Sequence, residues 1–287
     1  MERTSKKQNV PAFDMGSYSA LSIWSGFYGT VFDLFKLTVP ARVSEDRQML
    51  DIGCGVGHVS REVLLPRSLP CRRLVATDVS SDMIGFARAS FPHPKISYDV
   101  LDVSNSDDIK RLVDTYGRFE RVYSVCCLNW VQDQASAFRN IASLMTTDGD
   151  CVLLYPAVGA IRGIWKKLAA THRWSRFADV FKLFTTRSFQ LTDDESRLAY
   201  ARDLLQGAGL CARTCELLRI DWLNAAPLNQ IAQYAVSISP VHDKLTAEEK
   251  VLLQEDFERE METLKSLGSE EADTAFYLIH ATRHRGH

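Results

Sequence analysis

The chain has 287 residues, 46% of them hydrophobic, and a formal net charge of −2 with acids and bases interspersed. That length suits two domains or one enlarged α/β domain. No run approaches the ~18 apolar residues of a membrane span, and the charge pattern does not suit a surface that tracks phosphates, so neither a membrane span nor a nucleic-acid partner is expected.

Seven cysteines, at 54, 71, 126, 127, 151, 211 and 215, include no C-x-x-C pair, and an odd count closes no disulfide set. A reducing, cytoplasmic compartment is expected. There is no H-E-x-x-H string and no Cys/His set, so no metal site is expected. Residues 1–14 carry Arg3, Lys6 and Lys7 without an apolar h-region or cleavage site, which reads as a flexible tail and not a secretory signal.

From Tyr18 to Leu37 the residues Leu21, Trp24, Tyr28, Val31, Phe32 and Phe35 recur at helical spacing and predict one amphipathic helix. Either the whole stripe packs on the core, or part of it forms a lid in which Tyr18, Trp24 and Tyr28 line a substrate mouth.

The stretch Met49 to Val59 reads Met-Leu-Asp-Ile-Gly-Cys-Gly-Val-Gly-His-Val. A short apolar run stops at glycines spaced two apart and helix-compatible sequence resumes: a strand, a tight turn and a helix start. Glycine there allows positive φ and lets a ligand reach the backbone. A dinucleotide fingerprint would put its third glycine at position 58, but His58 stands there and the third glycine is Gly57. Val59 to Leu65 predicts a short helix closed by Pro66. Residues 72–77 predict a second strand ending in Asp78, 21 residues beyond Gly57, where an acid holds a ribose diol by accepting both hydroxyl protons. Ser80 or Ser81 then caps a helix through Met83, Ile84, Phe86 and Ala87.

The Asp-x-Gly-x-Gly-x-Gly string resembles motif I of the class I S-adenosylmethionine (SAM)-dependent methyltransferases. The resemblance implies that SAM crosses the turn at Gly53, Cys54, Gly55 and Gly57, with Asp51 toward its ammonium end directly or through water. It puts Asp78 and Val79 at the ribose and Met83 beside the adenine, although a core methionine needs no ligand. Ile96 to Val103 predicts the third strand; at its end the resemblance lets Asp102 accept from the adenine amino group and Val103 offer a backbone NH. Asp102 has a second reading, as a partner of the helix predicted over 105–115, which Ser104 and Ser106 are positioned to cap.

Phe119 onward predicts a fourth strand whose end lies beside the first strand, where strand order reverses and ligands bind in a doubly wound sheet. The string after it, Cys-Leu-Asn-Trp-Val-Gln-Asp-Gln from Cys127, resembles the C-L-H-W-V-Q-x-Q segment of the insect juvenile hormone acid O-methyltransferases and, more distantly, the L-Q-W-x-x-D segment of malonyl-acyl-carrier-protein methyltransferases. Both families methylate carboxylates. The resemblance implies that Trp130 holds a substrate carboxyl with its indole NH, a pure donor; the alternative is a buried cap on the sheet end. Asn129 stands where the family has histidine, and the first helix lacks the glutamine that shares the carboxylate, with Ser22 and Ser25 in its neighbourhood. Cys126, at the strand end, is expected on the cofactor side.

Ala135 to Met145 predicts a helix, residues 147–150 a turn, and Cys151 to Tyr155 a fifth strand ended by Pro156. Residues 156–192 then supply aromatic bulk, Trp165 included, interleaved with Arg and Lys. The expectation is a substrate cap; a basic aromatic segment also suits RNA, but the acidic balance argues against it. The rest predicts a helix over 193–208, a strand from Leu210 to Trp222, a helix over 226–237, a long helix opened by Thr246-Ala247-Glu248-Glu249 with charged residues on a solvated face, and a last strand from Ala275 to Thr282.

The expected organisation is a tail (1–14), a Rossmann-like SAM-binding core (15–155), a cap (156–192) and a segment completing the sheet (193–287). The fold expected is α/β, a doubly wound, mostly parallel seven-stranded sheet with one antiparallel edge hairpin. The activity the resemblance implies is methylation of the carboxylate of a hydrophobic small-molecule acid, of juvenile-hormone-acid or farnesoic-acid type. The alternatives are another acceptor, or a non-catalytic relative that binds SAM or a lipid. A carboxylate is ionised near pH 7, so the expected site needs no general base. A phenol or amine acceptor would, and His58 and His172 are the histidines considered for it.

Overall fold

A computed structural model describes residues 13–20, 24–39, 44–267 and 274–284. The elements in chain order are α1 (Met15–Ala20), α2 (Ser25–Thr38), β1 (Ser44–Ile52), α3 (Leu65–Ser68), β2 (Cys71–Asp78), α4 (Ser81–Ser90), β3 (Ile96–Val100), α5 (Ser106–Tyr116), β4 (Phe119–Val125), α6 (Gln134–Leu144) and β5 (Met145–Val158). They continue with α7 (Ala160–Ala169), α8 (Ala178–Leu183), α9 (Asp194–Gly207), β6 (Leu210–Ile220), α10 (Leu228–Ser237), α11 (Ala247–Leu267) and β7 (Thr274–Arg283).

The strands form one sheet in the order β3-β2-β1-β4-β5-β7-β6. β7 runs antiparallel to both neighbours, and the other neighbouring pairs are parallel. This is the expected doubly wound α/β sheet, with its order reversing between β1 and β4. Parallel central strands are covered on both faces, so Leu50, Leu74, Val75 and Val122 are fully buried. One face packs under α2, α7, α10 and α11 through Phe32, Phe35, Ile164, Trp165, Ile231 and Phe257. The other packs under α5, α6 and α9 through Leu112, Phe138, Ile141 and Leu205. Each such side chain contributes about 1.5–3 kcal/mol by leaving water.

Several local expectations change. The helix expected over 18–37 is two helices, with Trp24 at the α2 N-cap; Leu21 and Ser22 lie outside the described residues. The break has a physical use. Residues six apart on one straight helix point about 120° apart, whereas here Tyr18 stacks on Tyr234 at 5.9 Å and Trp24 meets the edge of the same ring at 6.2 Å. Of the expected tail, residues 1–12 lie outside the described residues, while Phe13 packs on Trp130 at 5.3 Å and the Asp14 carboxylate accepts from Ser17.

Pro66 does not close its helix. A π-turn over Ser60–Leu64 runs straight into α3, whose first turn accommodates Pro66 because no intrahelical donor is needed there. β3 stops at Val100, and α5 is capped by Asn105, whose side chain accepts from Asp107 N at 2.9 Å, in place of Ser104 or Ser106. β5 spans Met145–Val158; at the expected turn its pairing with β4 jumps from Met145 opposite Phe119 to Asp150 opposite Arg121, and the strand continues through Pro156. Proline is tolerated there because pairing with β4 ends at Leu154 and the β7 ladder shifts register between Pro156 and Val158.

The cap is clamped to α11. Asp256 accepts from Trp174 Nε1 at 2.8 Å and Arg173 Nη1 at 2.9 Å, Lys167 pairs with Glu260 at 3.2 Å, and Arg176 pairs with Glu249. The long helix's acids, expected on a solvated face, therefore hold the cap's bases. Thr246 and Glu249 exchange backbone bonds in a true capping box at 3.2 and 3.1 Å.

Candidate active site

At the β1 exit Gly53, Gly55 and Gly57 all have positive φ, at 78°, 52° and 87°. A Cβ on Gly53 would stand 2.2 Å from Cys127 Cβ, and one on Gly57 2.8 Å from Ala87 Cβ. The first glycine thus lets the β4 exit close against the turn, and the third lets α4 do so. Asp78, at the end of β2, accepts from Gly55 N at 2.9 Å and from Ser80 N at 3.0 Å. The acid and the glycine turn, 21 residues apart between Gly57 and Asp78 in sequence, form one structural unit. Burial pushes the Asp78 carboxyl up, and the backbone donors hold it back.

Behind the turn Asp51 is 2% exposed and accepts from Ser60 Oγ at 2.6 Å. Burial pushes its carboxyl up to about 7, the Ser60 bond opposes this, and the charge of Asp78 adds to it. Asp102 caps its own turn by accepting from Ser104 N at 2.8 Å, while its NH donates to Asp108 at 3.0 Å.

The β4 exit is strained. Cys126 adopts φ 53°, rare for a residue with a Cβ, and its NH is held by Leu154 O at 2.8 Å. Its thiol meets Tyr28 Oη at 3.0 Å, and Ser124 Oγ donates to Ile52 O at 3.0 Å, locking β4 to β1 at the switch point. The chain then turns through Leu128–Trp130. The Asn129 amide, oriented to satisfy its neighbours, donates to Cys126 O at 3.0 Å and accepts from Trp130 Nε1 at 3.2 Å and Arg162 Nη2 at 3.1 Å. The indole NH expected to hold substrate is therefore engaged by the neighbouring side chain. Arg162 also donates to Asn129 O at 3.0 Å, and its guanidinium lies over the rings of Trp130 at 4.3 Å and Phe189 at 4.6 Å.

One cavity joins these parts. Of the residues singled out from sequence, Gly53, Gly55, Asp78, Val79, Met83, Asp102, Val103, Cys126, Asn129, Trp130, Tyr18, Trp24, Tyr28 and Trp165 line it. Asp51, Cys54 and Gly57 do not: Asp51 and Cys54 are buried behind the turn, and Gly57 is packed against Ala87 and Tyr98. His58 pairs instead with Ser25 at 3.2 Å, and His172 is exposed after α7. Sequence reasoning missed Arg162, Phe189, Trp222, Tyr234 and Phe276 on the wall. Arg162 had a signal available, three residues before Trp165 on a predicted aromatic helix face; the last three come from distant segments that only folding brings in.

The chain resembles known proteins over part of its length. Residues 28–192 match the family model described as a methyltransferase domain. The juvenile hormone acid O-methyltransferase of Drosophila melanogaster is 32% identical over 170 residues, 58% of this chain and 56% of that protein. The Bombyx mori protein of the same name is 29% identical over 155 residues, 53% of each. The chain thus spans about half the length of these relatives. In fold it is similar to the Haemonchus contortus phosphoethanolamine N-methyltransferase 2 solved with S-adenosyl-L-methionine, at a TM-score of 0.55 and 13% identity over 93% of this chain and 57% of that one. With the family match covering more than half of its residues, the chain belongs to the methyltransferase domain family.

Proposed function

We propose that this chain binds SAM and methylates the carboxylate of a hydrophobic small-molecule acid. The observation that carries the reading is the composition of the cavity wall: glycines at the β1 exit, acids at the β2 and β3 exits, aromatic rings toward residues 156–192, and neither histidine nor lysine among the described lining residues. The fit to SAM rests on the cradle. Gly53 and Gly55 bare their backbone to the cavity, Asp78 has lone pairs left for a ribose diol, Asp102 and Val103 lie along the wall for the adenine, and Asp51, buried behind the turn and off the wall, is suited to draw an ammonium group through water. When bound, SAM supplies a methyl on a sulfonium, whose C–S bond breaks as the acceptor oxygen bonds to carbon, leaving a neutral thioether.

The chain's own work is placement and dryness. A carboxylate arrives ionised, since its unperturbed pKa is about 4, and loses no proton on methylation, so a wall without a base is sufficient. In-line placement is worth ~7–11 kcal/mol when the geometry is good. Tyr18, Trp24, Tyr28, Trp130 and Trp165 enclose an apolar chamber that excludes water and takes the tail of the acid. The names of the insect relatives support a carboxylate acceptor. The pairing of Lys167, Arg173 and Arg176 with α11 leaves the cap's bases little freedom to bind RNA.

The test is a transfer assay with methyl-labelled SAM over a panel of hydrophobic acids, phenols and amines. Base-labile label on acids alone is expected. Label confined to amines or phenols would refute carboxyl methylation, and absence of both transfer and calorimetric SAM binding would refute the whole reading.

A further inference from the structure

Three charged side chains line the cavity among the described residues: Asp78, Asp102 and Arg162. The two acids sit at the sheet end and are occupied by backbone NH groups. Arg162 stands alone toward the cap, on α7, three residues before Trp165 and on the same face. Its Nη2 is tied to Asn129, through the backbone O at 3.0 Å and through Oδ1 at 3.1 Å. Stacking over Trp130 and Phe189 fixes the plane of the guanidinium. No carboxylate pairs with it, and neither Nε nor Nη1 has an acceptor, among the described residues. One turn on, the buried indole NH of Trp165 also lacks a partner there.

A guanidinium turned away from water without a counter-charge is costly to the fold. The cost persists where a ligand repays it. We infer that Arg162 is the receptor for the acceptor's carboxylate, holding it through the N–H donors that Asn129 leaves free; this rests on the carboxyl methylation proposed above. Nη2 belongs to both edges that can grip a carboxylate two-pronged and is occupied by Asn129, so the bond is single-pronged and charge-assisted. Each oxygen keeps a further lone pair for attack on the methyl group, so the bond aims the nucleophile without blocking it. Two departures from the insect pattern then make sense together. The first-helix glutamine is absent, and the Trp130 NH is spent on Asn129. Asn129 and Trp130 act as supports for the arginine. The same cation repels an amine, so the site selects an acid.

The experiment uses the full chain loaded with S-adenosylhomocysteine and titrates farnesoate, dodecanoate and their methyl esters by calorimetry. Arg162→Gln should weaken the acids by about ten- to hundredfold, the loss expected for a charged hydrogen-bond partner, while ester and SAM affinities stay unchanged. Arg162→Lys keeps the charge without the stacked plane and should fall between, which keeps the test alive if the glutamine variant does not fold. Equal losses for acid and ester would indicate packing only, and unchanged acid binding, or a wild type that binds neither acid, would likewise overturn the assignment. Transfer assays on the same samples separate the two claims. Arg162-dependent acid binding without base-labile product refutes carboxyl methylation and leaves this inference standing. Product formed by Arg162→Gln with an unchanged KM does the reverse.

Discussion

Asp51 should make SAM binding depend steeply on pH. Its carboxyl is buried behind the glycine turn with Ser60 Oγ at 2.6 Å, and burial, with a smaller push from Asp78, holds its pKa at about 7. Because the folded value lies above the unfolded one, near 4, this group's contribution to stability is full below about pH 4 and up to about 4 kcal/mol of it is lost as pH rises through 7. An ammonium group drawn toward Asp51 through water favours the ionised form and lowers its pKa. A complex formed below pH 7 then releases a proton. Between pH 7.5 and 5.5 the apparent SAM affinity should fall, by up to about twentyfold for a free pKa of about 7. The assay is calorimetry at both pH values in buffers of different ionisation enthalpy, which counts the proton directly. Asp51→Asn keeps a partner for Ser60, and should bind SAM more weakly at pH 7.5, abolish the slope and raise ligand-free stability there. Equal affinity at the two pH values, or a slope that survives in Asp51→Asn, would refute the assignment of the titrating group.

Gly53→Ala adds a Cβ 2.2 Å from Cys127 Cβ at a φ of 78°; overpacking alone costs about 1–3 kcal/mol and the backbone adds about 1–2, so a denaturation midpoint equal to wild type would contradict the close approach. Asp78→Asn leaves one acceptor oxygen for the Gly55 and Ser80 NH groups and a ribose, and should weaken SAM by about 1.5–3 kcal/mol in calorimetry. Asp150 takes a two-pronged bond from Arg121 at 2.6 Å on each oxygen, with His280 at 3.2 Å. Despite burial these partners pull its carboxyl down to about 2, so its stabilisation is present above pH 4 and is lost as pH falls through 2. Asp150→Asn should cost about 3–5 kcal/mol at pH 7, read from urea unfolding, because Arg121 is left buried and unpaired.

The sheet and its cofactor side were legible because they are built from local signals. Several predicted elements begin or end at a residue whose role depends on near neighbours in sequence: Gly53 after Ile52 and Ser80 after Asp78 at strand ends, Thr246 before Glu249 at the start of α11. Where local propensity met tertiary pairing, both left a mark. Residues 147–150 read as a turn, and β5, although it continues, leaves the β4 ladder there, from Met145 opposite Phe119 to Asp150 opposite Arg121. The charged face of α11 read as solvated because the bases it meets lie some 80 positions earlier, from Arg173 to Asp256.

The acceptor side was hidden for a deeper reason. The family match ends at residue 192, but Trp222, Tyr234, Ile238, Thr274 and Phe276 close the cavity from beyond it. The glycine-turn side of the chamber and residues 156–192 lie within the matched stretch, whereas the rest of the wall comes from α1 and the last third of the chain. Trp130 illustrates the consequence. Its position in the C-L-x-W string points to an indole that grips substrate, but the NH is satisfied by Asn129, the residue standing where the family has histidine. That exchange turns the tryptophan into a platform for Arg162. On the proposed reading, the group that would read the acceptor lies on α7 and not at the β4 exit, so the choice of acid would follow from the cavity's shape around that guanidinium more than from the motif itself.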